Sequence, residues 1–155
     1  MVSLNKLSVK QKAYAYILRG KDQERQMLVF EHQDFPDAGR QVPGGTVEPG
    51  EEIMLGAQRE AEEETGLMNL LLVQKIGSTK RDMRGFGLDE IHHRHYFHFV
   101  CEGCQRESWI GFEENPSDGS EGPIAFRFYW VDLDALPVLH GGLDEMVSVL
   151  RGFFI

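Results

Sequence analysis

The stretch that decides the fold is residues 45–67, which read GTVEPGEEIMLGAQREAEEETGL. A Pro-Gly pair precedes its acidic run, and Gly66 stands at the usual position for a helix end. The pattern therefore predicts a helix over Glu51–Glu64, in which six of the fourteen residues are Glu.

Three of these glutamates, Glu60, Glu63 and Glu64, are spaced i, i+3 and i+4, which places them on one face of the helix. The same face carries small and apolar residues one or two turns earlier, namely Ile53, Gly56 and Ala57. A solvated face is the usual meaning of a charge run, but here the face expected to meet the core continues into carboxylates. Like charges near 4 Å repel by roughly 4 kcal/mol at an effective dielectric constant of about 20. Such a cluster must share protons or bind cations, and Mg²⁺ prefers oxygen ligands.

The full spacing of the stretch is more specific than its acidic face. It runs Gly45, five residues, Glu51, seven residues, Arg59-Glu60, Ala61, one residue, Glu63-Glu64, one residue and Gly66-Leu67. This arrangement resembles the Nudix box at every fixed position, although Ala61 is smaller than the aliphatic residue preferred there. The strand pattern around the box is also similar to the Nudix fold over nearly the whole chain.

The resemblance implies a role for each charged residue of the box. The metal ligands would be the carboxylates of Glu60, Glu63 and Glu64 and the backbone carbonyl of Gly44. Glu51 and Arg59 would form a supporting ion pair that orients the helix for catalysis. The implied cofactor is Mg²⁺, with Mn²⁺ as an alternative, and the number of ions stays open.

The resemblance also implies attack of water on one phosphorus of a nucleoside diphosphate linked to another moiety. Such a reaction calls for a general base, which Glu63 or Glu64 would supply from within the box. Family members often use a glutamate from a later loop instead. The candidates there are Glu113, Glu114 and Glu121. We take Glu121 first because it lies nearest the following strand.

Apolar segments on both sides of the box read as strands. The candidates are Tyr14–Leu18, Met27–His32, Gln41–Pro43, Leu70–Ile76, Ile91–Cys101 and Phe126–Val131. Leu143–Leu150 has apolar residues at i, i+3, i+4 and i+7, which predicts a second helix. We therefore expect one Nudix-like domain over residues 1–155, an α/β/α sandwich of the α+β kind with a mixed sheet.

Candidate substrate contacts lie outside the box. The strand IHHRHYFHFV, residues 91–100, carries Arg94 among histidines and aromatic residues. One of its faces would line a pocket in which Arg94 holds phosphate, whereas the alternative is a half-exposed sheet with polar side chains. Arg40 and Arg84 are further candidates for phosphate contact.

Composition limits the classes of ligand and the cellular compartments that we expect for the protein. The formal net charge of −9 argues against a long nucleic-acid duplex as partner, since such binding depends on Lys and Arg. No apolar stretch approaches the length of a membrane span or of a secretory signal, so we expect a cytoplasmic protein without a membrane partner. Cys101 and Cys104 are expected to be ordinary thiols, with a zinc site as the lesser alternative. A homodimer is left open.

We therefore expect a pyrophosphohydrolase that acts on a small-molecule nucleoside diphosphate derivative. Signatures typical of ADP-ribose, dinucleoside polyphosphate, coenzyme A and NADH hydrolases are not visible. The substrate stays open among nucleoside triphosphates, nucleotide sugars and dinucleotides. The alternative is a catalytically silent Nudix-fold module that binds a nucleotide, but such a module would be expected to lose box glutamates, and all are present.

Overall fold

The central element of the computed structural model, which describes residues 7–68, 70–113 and 123–154, is the strand β1 (Ser8–Arg19). Successive side chains of a strand point to opposite faces, and both faces of β1 are apolar. Ala13, Ala15 and Ile17 belong to one buried cluster, whereas Tyr16 and Leu18 belong to a second. A strand buried on both sides needs a covering layer on each face.

Within the described residues, seven strands form one mixed sheet around β1. The others are β2 (Gln26–His32), β3 (Gly44–Thr46), β4 (Leu71–Asp82), β5 (Glu90–Val100), β6 (Ser108–Glu113) and β7 (Ile124–Asp132). Their order is β4-β5-β1-β2-β7-β6, with β3 also beside β1. The β1–β5 pair is parallel, and the remaining pairs are antiparallel.

The two α-helices of the described ranges cover opposite faces of the sheet. On one face, α1 (Ile53–Thr65) buries Ala57 and Ala61 in the cluster that contains Phe97 and Phe128. On the other face, α2 (Val147–Gly152) contributes to the cluster that contains Tyr16 and Tyr96. This arrangement confirms the predicted α/β/α sandwich with a mixed sheet. Within the described ranges, no helix is both long enough and apolar enough to cross a membrane.

The neighbour of β1 on one side differs between the two parts of the strand, and this difference leaves space for a site. β2 pairs with β1 only at Leu18 and Arg19, at the end of the strand. Farther back, residues 41–46 lie between β1 and β2. Gln41 bonds to Phe30 of β2, and the carbonyl oxygen of Pro43 accepts a 2.8 Å bond from the amide of Ala15. The segment that leads into the acidic helix is thus held by both strands.

The predicted helix of the box is present but begins later, at Ile53, and ends at Thr65. Gly66 follows in the left-handed conformation with φ of 73°, as its position predicted. Of the short strand expected at Gln41–Pro43, Gln41 forms a β-bridge with Phe30, but the strand that pairs with β1 is Gly44–Thr46. Pro43 has no N–H to give to a ladder, which explains the shift.

Two other elements differ from the sequence prediction. β6 was not predicted, because Gly111 interrupts its alternation of apolar residues. The second helix is shorter than Leu143–Leu150, since turns precede Val147. The predicted spacing still holds, as Leu143, Val147 and Leu150 are all buried.

Cys101 and Cys104 form a disulfide across the turn after β5, so the expectation of ordinary thiols is wrong. The separation of the two α-carbons is 5.7 Å, a usual distance for a disulfide. Their spacing alone did not distinguish this pairing from free thiols.

The buried hydroxyl of Tyr16 ties β1 to the segment before α2. It donates a 2.6 Å bond to the carbonyl oxygen of Leu143 and accepts one from the amide of Met146. Tyr16→Phe should lower the free energy of unfolding by about 1–3 kcal/mol, because both backbone groups lose their partner without access to water. Tyr129→Phe, whose hydroxyl bonds at the surface, should change it by less than about 0.5 kcal/mol. Urea unfolding followed by circular dichroism would measure both, and equal losses would contradict the assignment.

Candidate active site

Two glycines of β3 allow close packing on both of its sides, Gly45 against the acidic helix and Gly44 against β1. A Cβ atom on Gly45 would sit 2.7 Å from the carboxyl carbon of Glu60, and one on Gly44 would sit 2.4 Å from the carbonyl oxygen of Ala13. Neither position therefore has space for a side chain. The carboxylate of Glu60 is held against bare backbone as a result.

Arg59 contacts three carboxylates at once. Its Nε and Nη2 bind the two oxygens of Glu51 at 2.7 and 2.9 Å, the forked geometry that arginine forms with a carboxylate. Its Nη1 lies 3.1 Å from Glu60 and 3.3 Å from Glu63. The structure therefore contains the expected Glu51–Arg59 ion pair, and the same guanidinium also neutralises part of the acidic face.

Charge on this face is only partly compensated. Burial raises the pKa of Glu60, and it raises the pKa of Glu64 well above the ordinary range. Repulsion from Glu60 and Glu113 raises the pKa of Glu64 further, and the amide of Gly44, 3.5 Å from its Oε2, lowers it only weakly. The side chain of Glu63 is 62% exposed. Buried carboxylates that repel one another favour a proton or a cation between them.

This donor set fits a hard divalent cation. The carboxylates of Glu60, Glu63 and Glu64 offer only oxygen ligands, which Mg²⁺ and Mn²⁺ accept. In the part of the chain that the structure describes, no three acidic, His or Cys side chains are grouped closely enough to hold an ion as they lie. Arg59 holds oxygens of Glu60 and Glu63 in its own ion pairs, so a cation would have to compete with it for them.

A cleft of about 550 Å³ opens at these carboxylates. This volume lies in the range typical of small-molecule sites, roughly 300–1,000 Å³. Its acidic wall comes from α1 and the end of β6, and consists of Glu60, Glu63, Glu64 and Glu113. Its aromatic residues are Tyr14, Phe30, Phe112 and Phe126. The segment of residues 41–46 forms the floor between them, with Gln41, Val42, Gly44, Gly45 and Thr46 lining the cleft.

Of the three candidate bases outside the box, the structure describes only Glu113. Glu113 ends β6 and lines the cleft, close enough to raise the pKa of both Glu60 and Glu64. Glu114 and Glu121 lie outside the described residues. Glu121, the first choice from the sequence, therefore stays a prediction.

Arg94 does not lie in the cleft, contrary to the sequence prediction. Its side chain is 5% exposed and lies on the α2 face of the sheet, where it donates a 2.7 Å bond to the carbonyl oxygen of Gly141 and pairs with Glu145. The alternation of the strand decides this placement, because Arg94 points to the same side as Tyr96. Arg94 joins the sheet to the segment before α2.

The other two arginines also lie away from the cleft lining. Arg40 donates a 2.7 Å bond to the hydroxyl of Tyr129 and lines a smaller neighbouring pocket. Arg84 is exposed and pairs with Asp82 next to the end of β4. None of the residues that line the main cleft in the described ranges is Lys or Arg.

The sequence interpretation missed most of the cleft outside the box. Phe30 and Phe126 were predicted only to lie on strands, and strand periodicity cannot distinguish a ring in the core from one that lines a cleft. Lys12 was also missed. It donates a 2.6 Å bond to Thr46, which lines the cleft, and burial lowers its pKa.

Comparison with known proteins agrees with the fold. A family model of the NUDIX domain matches residues 9–152. An RNA pyrophosphohydrolase from Rhodospirillum rubrum is 30% identical over 140 residues, covering 84% of this chain and 81% of the relative. The chain belongs to the Nudix hydrolase family. Within that family it is a pyrophosphohydrolase.

Solved structures share the fold at lower identity. A MutT protein from Methanosarcina mazei Go1 has a TM-score of 0.64 at 17% identity, with 96% of this chain and 97% of that chain covered. An Ap4A hydrolase from C. elegans, solved as a binary complex, has a TM-score of 0.65 at 18% identity, with coverage of 93% and 96%.

The Glu51–Arg59 pair generates a pH-dependent stability. Arg59 lowers the pKa of Glu51 to about 2, so the pair stabilises the fold fully above the ordinary value near 4.5 and is lost as pH falls toward 2. Glu51→Gln should therefore lower the melting temperature at pH 7, and the difference from wild type should shrink as pH falls below about 4.5. Thermal melts between pH 3 and 7 would test this. Glu52→Gln, an exposed neighbour, is the control; a difference that stays constant with pH would contradict the role of the pair.

Proposed function

We propose that this enzyme hydrolyses the pyrophosphate linkage of a nucleoside diphosphate joined to another moiety, with Mg²⁺ or Mn²⁺ as cofactor. The observation that carries the proposal is a cleft of about 550 Å³ whose described lining combines four carboxylates with aromatic residues. A polyphosphate would be repelled by this acidic wall, and no Lys or Arg lines the cleft in the described ranges. A divalent cation is what would reverse the sign of the charge that the substrate meets.

The box residues would have different roles in binding that cation. Glu60, Glu63 and Glu64 would bind it, together with the carbonyl of Gly44, and Arg59 would keep the first two carboxylates pointing toward the cleft. Glu51 would hold Arg59 through its forked ion pair. When bound, the cation lowers the pKa of an attacking water and neutralises phosphate oxygens.

A carboxylate outside the box would take the proton from the attacking water. Glu113 is the described candidate, since it lies in the cleft wall with the metal-binding carboxylates. Glu121 and Glu114 remain the alternatives, and Glu63 or Glu64 would serve if none of the three does.

The substrate is best found with a panel assay in which released phosphate is measured after treatment with pyrophosphatase or phosphatase. The panel contains nucleoside triphosphates, nucleotide sugars, ADP-ribose, dinucleoside polyphosphates and NADH, each with Mg²⁺, Mn²⁺ or EDTA. We expect metal-dependent release from one class. Silence across the panel with nucleotide binding retained would favour a silent binding module instead.

An RNA 5′ end is a second candidate substrate, favoured by the relative from Rhodospirillum rubrum, an RNA pyrophosphohydrolase. A short 5′-triphosphorylated oligoribonucleotide therefore joins the panel beside the free triphosphate of its first nucleotide. The net charge of −9 predicts weak contact with nucleotides beyond the first few. Faster cleavage of the oligonucleotide than of the free nucleotide would assign the RNA end as substrate.

Glu64→Gln and Glu63→Gln should each reduce turnover by orders of magnitude without unfolding the protein. Removing one charge relieves repulsion within the acidic face, so the melting temperature in EDTA should stay equal or rise, most clearly for the more buried Glu64. Glu62→Gln on the same helix is the matched control and should keep activity. Full activity in both variants, or early melting in EDTA, would contradict the metal-ligand assignment.

The three base candidates outside the box can be distinguished by their effect on the pH dependence of turnover. If Glu113 is the base, Glu113→Gln should lower turnover roughly 10²–10⁴-fold and remove the acidic limb of the pH–rate profile, while the Mg²⁺ concentration for half-maximal rate stays unchanged. Glu121→Gln and Glu114→Gln would then each have a small effect, and Glu62→Gln serves as the control. The opposite order would assign the base to Glu121, and a raised Mg²⁺ requirement would make Glu113 a metal ligand.

A further inference from the structure

The side-chain amide of Gln41 points into the cleft region without a protein partner. Gln41 lines the cleft and is only half-buried. No residue in the described ranges 7–68, 70–113 and 123–154 hydrogen-bonds its amide. Both of its backbone groups are used, because its N–H and carbonyl bond to Phe30 at 2.8 and 2.9 Å. The position is therefore fixed while the amide remains available.

The backbone pairing of Gln41 with Phe30 also determines which side chains lie next to the side-chain amide of Gln41. Residues directly opposite each other in an antiparallel pair project to the same face, so Gln41 and Phe30 share a face. Phe126 joins them there, with its ring centre 5.0 Å from that of Phe30. Phe112 adds a ring that lines the same cleft and is 58% exposed. An amide beside aromatic rings is suited to a flat heterocycle with polar edges.

We infer that Gln41, Phe30, Phe126 and Phe112 form the nucleobase subsite of this enzyme and that it prefers adenine. The inference rests on the proposed function, which supplies the nucleotide, and adds which base is bound and by which residues. The amide of Gln41 accepts a bond from the N6 amino group of adenine and donates one to N7. Guanine presents two acceptors, O6 and N7, at the same edge, and an amide can satisfy them less well.

The test measures binding of the α,β-methylene analogues of ADP and GDP with Mg²⁺ by calorimetry. These analogues resist cleavage, so the result does not depend on turnover. Wild type should bind the adenine analogue about tenfold more tightly or better. Gln41→Ala should lose this preference at an unchanged melting temperature, since the amide has no structural partner. Gln33→Ala, an exposed glutamine outside the cleft, is the control and should keep the preference.

Gln41→Glu gives the sharper outcome because a carboxylate only accepts hydrogen bonds. It matches the N1–H and N2–H donors on the Watson–Crick edge of guanine and repels N7 of adenine. The preference should therefore shift toward the guanine analogue. Equal binding of both analogues by wild type, no binding of either, or an unchanged ratio in Gln41→Ala would overturn the subsite. An adenine preference that depends on Gln41 in an enzyme silent in the phosphate-release assay would overturn the hydrolytic mechanism and leave the subsite in place.

Discussion

The contact on which the rest of the site depends is the one between Arg59 and its three carboxylates. Several glutamates on the face of a helix that packs on the sheet repel one another, and without a compensating charge this repulsion would oppose packing of the helix. Arg59 supplies that charge from within the same helix, and its fork on Glu51 fixes the loop that enters the helix. The acidic face therefore remains folded and still holds more negative charge than one guanidinium neutralises. Excess charge of this kind is what a cation site needs.

The sheet provides the space for that charge to act. Because β1 is bordered by β2 at one end and by β3 farther back, residues 41–46 enter between the two strands. The cleft forms where the neighbour of β1 changes from β2 to β3, beside the box glutamates. On the side of the sheet covered by α2, buried residues such as Arg94 and Tyr16 bond the sheet to the segment before α2.

Much of this arrangement was predictable from the sequence, and the part that was not has a physical reason. Glu60, Glu63 and Glu64 follow from helical periodicity and from the fixed spacing of the box. Arg94 was misplaced because a strand with polar and aromatic residues on both sides does not show which side faces a cleft. Gln41 and Phe30 could not be found as neighbours, since only the pairing of two distant segments brings them together. Lys12 was missed for the same reason, as its partner Thr46 lies on another strand.

The parallel pairing of β1 with β5 has a consequence for how the molecule acquires its structure. Ser8 pairs with Glu90, so the central strand cannot pair with β5 until about eighty more residues have been synthesised. Contacts this far apart in sequence carry a large loop-closure cost and are typical of slow-folding topologies. During synthesis the acidic helix is complete before the strand that closes the sheet beneath it has been made. Until that strand is made, the two tyrosines and the apolar residues of β1 lack their partner on that side, so the nascent chain carries an unpaired apolar strand edge.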